Sequence, residues 1–198
     1  MIDFIYQSLP GRVVFGPGKV EETRAEAEAL GIKKALVLCT PQQKDLALGI
    51  SDRLGELTAA VYDKAVMHVP AETVADVMTL VADLDIDGCV SIGGGSTVGL
   101  AKAIALETEL PILAIPTTYA GSEMTPVWGI TTDGIKTTGR DSKVLPKTVI
   151  YDPELTVGLP DYISGSSGMN AIAHCVEALY SQNQNPVTSL MAEEGIRA

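Results

Sequence analysis

The run Gly93-Gly94-Gly95-Ser96-Thr97 places three consecutive glycines between an apolar stretch and a segment of helical spacing. Glycines let a backbone turn tightly and approach a phosphate, and the free N–H groups of a following helix favour an anion. Ser96 is placed to cap that helix. Gly93, Gly95 and Gly99 give G-x-G-x-x-x-G, one residue longer than the dinucleotide fingerprint. No Lys-Ser/Thr follows, so the turn is not a Walker A loop. A tight strand-to-helix connection that binds nothing is the competing reading, although three glycines in a row cost more backbone entropy than a plain connection needs. A second polar loop, Pro116-Thr117-Thr118-Tyr119-Ala120-Gly121-Ser122-Glu123, follows the next apolar run. The hydroxyls of Thr117, Thr118 and Ser122 suit phosphate or ribose, and they suit ordinary turn chemistry equally.

Two further groups have charge to offer. Lys136, Arg140, Lys143 and Lys147 are four of the 14 basic residues in a chain of net charge −11. This local reversal suits a phosphate or carboxylate ligand, or else it marks a solvated loop edge turned at Gly134 and Gly139. Asn170 and His174 lie four apart, on one helix face, with Glu177 three further on. A His with a carboxylate at that spacing can hold a metal, but Asn is neutral and a weak donor. A hydrogen-bonding His in a cleft is the other reading. His68 follows a strand-like stretch, where it either approaches the same cleft or is a plain loop histidine.

These residues need a frame that brings them to one edge. Apolar runs at 12–15, 35–39, 59–62, 88–92 and 111–115 read as strands, the second as a strand buried on both faces. Segments 20–30, 42–57, 70–84 and 97–106 have helical spacing. Strands alternating with helices imply parallel pairing, and hence a doubly wound α/β sheet. In such a sheet both polar loops lie at the carboxyl edge, where ligands bind. Beyond about Pro153 only helical segments follow, at 167–180 and 187–198. The expected organisation is a nucleotide-binding α/β domain over 1–155 and the beginning of a helical domain over 156–198. Two helices make a poor core alone, so the chain reads as cut off early in that second domain.

Composition narrows the function classes. Apolar residues are 46% and charged residues 20%, an ordinary globular balance rather than a disordered one. The net charge of −11 argues against a nucleic-acid partner. No apolar run reaches the ~18–20 residues of a membrane span, and the N-terminus lacks a signal-peptide pattern. Cys39, Cys89 and Cys175 are odd in number and sit in apolar segments, so they read as buried thiols of a cytoplasmic protein.

The combination of the Gly-Gly-Gly-Ser turn, the Pro-Thr-Thr-x-x-Gly-Ser-Glu loop, Leu145–Leu155 and the Gly168–His174 helix resembles the iron-containing alcohol dehydrogenase superfamily over the whole chain, and within it the maleylacetate reductases. The resemblance implies a Rossmann-like domain followed by a helical one, the dehydroquinate synthase-like architecture, with NADH or NADPH in the cleft between them. Gly94, Gly95 and Ser96 would bind the pyrophosphate. Thr117, Thr118 and Ser122 would line the cofactor site, and Lys136 would contact the ribose. Thr40 stands where NAD-strict relatives often carry Asp, which removes a repulsion against a 2′-phosphate. Gly99 stands in a place usually held by Asp, and Asn170 replaces a metal-binding Asp. These departures imply a metal-independent NAD(P)H-dependent oxidoreductase of the maleylacetate reductase type.

Its reaction would reduce the C=C bond of maleylacetate and substituted maleylacetates to 3-oxoadipate, in aromatic-compound catabolism. His174 and Arg140 would meet the dicarboxylate substrate or the enolate charge. The resemblance also implies a homodimer. The alternatives are a metal-dependent alcohol or polyol dehydrogenase of the same superfamily, a lyase of the dehydroquinate synthase type, and a cofactor-binding fragment without turnover.

Overall fold

The structure, a computed structural model, describes residues 3–9 and 11–198. Eight strands follow in chain order: β1 (Arg12–Phe15), β2 (Ala35–Leu38), β3 (Thr58–Tyr62), β4 (Gly88–Gly93), β5 (Ile112–Pro116), β6 (Val127–Thr132), β7 (Ile135–Arg140) and β8 (Thr148–Tyr151). Six of them form one sheet in the order β1-β8-β5-β4-β2-β3, every pair parallel. The helices are α1 (Thr23–Ala29), α2 (Lys44–Leu54), α3 (Ala71–Asp83), α4 (Gly95–Thr108), α5 (Asp161–Tyr180) and α6 (Pro186–Arg197).

Strand periodicity divides the core into two layers. Leu36 and Leu38 of β2 face a cluster with Val74, Val77, Leu100 and Ile104 from α3 and α4. Val37, from the other face of the same strand, packs with Ala47, Ile50 and Leu54 of α2. All six residues of β4 are buried, as a central strand covered on both sides requires. Helix α4 is apolar nearly all round because it is enclosed on several sides, by β4, β5 and the β6–β7 hairpin.

Three expectations are corrected here. The hairpin and β8 were not anticipated: the basic stretch at 136–147 begins as the strand β7 rather than as a loop edge. Its turn is Asp133-Gly134, both in the left-handed region (φ 51° and 76°), the chemistry of a two-residue hairpin. The helical segment 42–57 is α2 flanked by short 3-10 turns at Pro41–Gln43 and Gly55–Leu57. Cys39 and Cys89 are buried but Cys175 is only half-buried, since α5 has no buried residue. Burial pushes the Cys39 thiol up to about 11 and Cys89 to about 12, away from thiolate chemistry.

The sheet ends at Tyr151, and α5 and α6 pack on one another beyond it. Among the described residues no helix is long and apolar enough to cross a membrane.

Candidate functional site

The turn after β4 is built so that only glycine fits its first position. Gly93 has φ +141°, and a Cβ there would lie 2.3 Å from Thr97 Oγ1 and 2.4 Å from Gln43 Oε1. Gln43 is the brace beneath the turn: its Nε2 donates to Thr117 Oγ1 (2.8 Å), and Thr40 Oγ1 donates to its Oε1 (3.2 Å). Thr117 N–H donates in turn to the Gly93 carbonyl (3.0 Å), so the ends of β2, β4 and β5 are tied together at the carboxyl edge. Gly94, not Ser96, is the N-cap of α4, and it makes no side-chain cap. The first N–H groups of α4 are therefore not capped by that residue's side chain, and the helix dipole favours an anion there. Thr118 closes the far side, with Oγ1 3.1 Å from the point a Cβ of Gly94 would take.

Gly95 and Ser96 open into a cavity of about 350 Å³ that also meets Ser122, Trp128, Lys136 and His68. The hairpin supplies Trp128 and Lys136. Gly139 permits this arrangement, because a Cβ there would fall 2.4 Å from the indole of Trp128. At the cavity's base lies a residue the sequence reading missed. Lys102, fully buried, donates to the carbonyls of Ser122 (2.6 Å), Thr125 (2.7 Å) and Val127 (2.8 Å). Its neutral surroundings lower its pKa from 10.5 to about 8, chiefly through desolvation and against the pull of Glu123. Glu123 is itself buried and accepts from the Tyr151 hydroxyl (2.7 Å). The segment 122–127 is thus clamped by α4 on one side and β8 on the other. A signal was available: Lys102 interrupts Ala101, Ala103, Ile104 and Ala105 on an otherwise apolar helix.

A second cavity shares Ser122 and Val127 with the first and is lined by Gly121, Thr125 and His174. Helix α5 is held near it by the backbone N–H of Tyr119, which donates to Ser167 Oγ (2.9 Å). His174 Nδ1 lies 3.4 Å from Glu177 Oε2, both side chains largely exposed, so this pairing adds little stability. Asn170 is a neutral amide, and among the described residues no three His, Cys, Asp or Glu side chains converge.

The anticipated residues distribute as follows. Gly95, Ser96, Ser122 and Lys136 share the first cavity, and His174 lines the second. Thr118 lines a third, apolar cavity with Phe15, Tyr119 and Tyr151. Thr117 is buried beneath the turn, where its hydroxyl accepts from Gln43. Thr40 sits on the brace at the end of β2. Arg140, at the end of β7, lines none of these cavities, but it pairs with Val127, which lines both the first and the second.

Comparison with known proteins follows the same lines. The family model for iron-containing alcohol dehydrogenase matches residues 10–153. The chain is 54% identical to maleylacetate reductase 2 of Cupriavidus pinatubonensis, over 99% of this chain and 55% of that protein. It is 55% identical to the maleylacetate reductase of Sphingobium indicum, over 100% of this chain and 56% of that protein. The crystal structure of maleylacetate reductase from Agrobacterium tumefaciens superposes with a TM-score of 0.97 at 50% identity, covering 100% of this chain and 56% of that one. The chain spans about half the length of the curated relatives it matches. By turn, sheet and sequence together, this chain belongs to the iron-containing alcohol dehydrogenase family.

Proposed function

We propose that the chain is the nucleotide-binding portion of an NAD(P)H-dependent reductase that converts maleylacetate and substituted maleylacetates to 3-oxoadipates. The observation that carries this reading is the pair of adjoining cavities sharing Ser122 and Val127. One begins at the glycine turn and the other holds His174. When bound, the nicotinamide supplies the hydride that adds to the alkene carbon conjugated with the ketone. The residues here do the rest of the positioning. Gly94, Gly95 and Ser96 present backbone N–H groups to the pyrophosphate at the N-terminus of α4. Lys136 contacts the ribose, and Thr118 faces the apolar cavity beside it. Thr40 puts no carboxylate against a 2′-phosphate, so NADPH is accepted as well as NADH. Across Ser122, His174 meets the substrate and the negative charge that develops on the enolate oxygen.

The donor set around Asn170 and His174 gives no reason to route a step through a metal. Maleylacetate-dependent NADH oxidation by the whole protein is expected to survive dialysis against a chelator with its rate unchanged. Loss of activity that Fe²⁺ or Zn²⁺ restores would favour the metal-dependent alcohol dehydrogenase reading instead. The 198-residue chain is expected to bind NADH, followed by energy transfer from Trp128, its single tryptophan, which lines the cofactor cavity. Absence of that transfer, with the chain folded, would overturn the cofactor assignment.

A further inference from the structure

Two neighbouring residues, neither of them glycine, adopt the left-handed region: His68 (φ 68°) and Val69 (φ 49°). For a β-branched residue this conformation is an outlier, and it persists only where the surroundings impose it. They do so from two sides. The hairpin holds the backbone: Thr131 N–H donates to the Val69 carbonyl (3.0 Å) and Thr131 Oγ1 donates to the His68 carbonyl (2.8 Å). Helix α4 holds the side chain: Val69 is buried, and its Cγ2 lies 2.8 Å from the point a Cβ of Gly99 would occupy. The missing side chain at Gly99 is therefore what lets Val69 seat. The outcome is that His68 lines the cavity that contains Ser96, Lys136 and Trp128. The His68 side chain is exposed, and among the described residues its imidazole makes no hydrogen bond.

The ligand can be identified by charge. The cofactor's bridging negative charges are met by the glycine turn and the N-terminus of α4. A 2′-phosphate would lie near Thr40, on a different strand end. This cavity carries three basic side chains in a chain of net charge −11: Lys102 at its base, held by three carbonyls, and His68 and Lys136. The carbonyls occupy Lys102 and the ribose takes Lys136, and a neutral carboxamide does not call for His68, whereas a carboxylate does. We infer that His68 is a substrate-binding residue that receives one carboxylate of a dicarboxylate substrate reaching across Ser122 from the His174 cavity. This rests on the reductase reading given above.

The test is His68→Asn in the whole protein. Asn tolerates the left-handed region, so the backbone and the Val69–Gly99 contact are retained while the imidazole is lost. The expected result is a KM for maleylacetate raised roughly tenfold or more, with the NADH dissociation constant changed less than about twofold. Unchanged KM, or NADH binding that weakens in step with it, would overturn the inference, since His68 would then be idle or a cofactor contact. Binding of 3-oxoadipate to the NADH-loaded protein separates this from the reductase reading. If the unmodified protein binds it without turning over maleylacetate, the reductase reading alone fails, and a tenfold weaker binding in His68→Asn still supports the site. Equal binding by the two proteins, or none by either, would sink it.

Discussion

Gly95→Ala is expected to leave the melting temperature unchanged or slightly raised and to weaken NADH binding roughly tenfold or more. The two halves of this result have separate causes. In the protein, a Cβ at Gly95 meets only the Ala120 Cβ at 3.9 Å, an ordinary contact. Position 95 opens α4, where replacing Gly by Ala favours the helix by about 0.5–1 kcal/mol. The methyl group nevertheless enters the cavity at the point where a phosphate must approach the backbone. Gly93→Ala serves as the contrast. Its Cβ would strike Thr97 and Gln43 at a φ of +141°, so stability and binding should fall together. Thermal denaturation and NADH titration of both variants separate the cradle from the scaffold. Undiminished NADH binding by Gly95→Ala would mean that the turn only connects β4 to α4.

Lys102→Met should cost about 3 kcal/mol, seen as a melting temperature lower by roughly 10 °C. Methionine fills similar space but takes the lysine donor from the carbonyls of Thr125 and Val127, while the Ser122 carbonyl keeps the Thr125 N–H (3.2 Å). Each stranded carbonyl costs about 1–3 kcal/mol, and part of that is recovered because the ammonium is no longer buried. Ser122 lines both cavities, so the freed segment should weaken cofactor and substrate together. The same lysine sets a pH dependence. The folded chain releases its proton near pH 8 and the unfolded chain near 10.5, so the unfolded state binds more protons across that window. Its contribution to stability therefore rises from pH 8 to 10.5. NADH affinity should move the other way, falling as pH rises through 8, because a positive charge leaves the wall of an anion site. Both slopes should vanish in Lys102→Met. A pH-independent affinity in the unmodified protein would contradict this account of the clamp.

The parallel sheet was legible because its strands announce themselves. Runs such as 35–39 and 88–92 are apolar without alternation, and each is followed by a helix-period segment. The glycine turn was legible for the same reason, since strand, glycines and helix occur in sequence. What escaped was of two kinds. The β6–β7 hairpin lies among polar residues, Thr131-Thr132-Asp133-Gly134-Ile135-Lys136, and its exposed strands lack an apolar signature. The Asp-Gly pair was the usable sign. The clamp on Lys102 depends on carbonyls 20 to 25 residues away, which no local pattern encodes. Ser96 and Thr117 show a limit of another sort. Their residue types suit capping and phosphate contact, but Gly94 takes the cap and Gln43 takes the Thr117 hydroxyl. Residue type singles out the loop, and the packing decides which of its hydroxyls already has a protein partner.

The central claim is the coupling of the glycine-turn cavity to the His174 cavity in a reductase acting on an unsaturated keto dicarboxylate. The most direct measurement is NADH consumption by the whole protein with maleylacetate as sole acceptor, with the product identified. The account predicts one NADH oxidised for each 3-oxoadipate formed, and loss of that turnover in Gly95→Val. A protein that binds NADH but consumes none with maleylacetate, while oxidising a simple alcohol in the reverse direction, would contradict it.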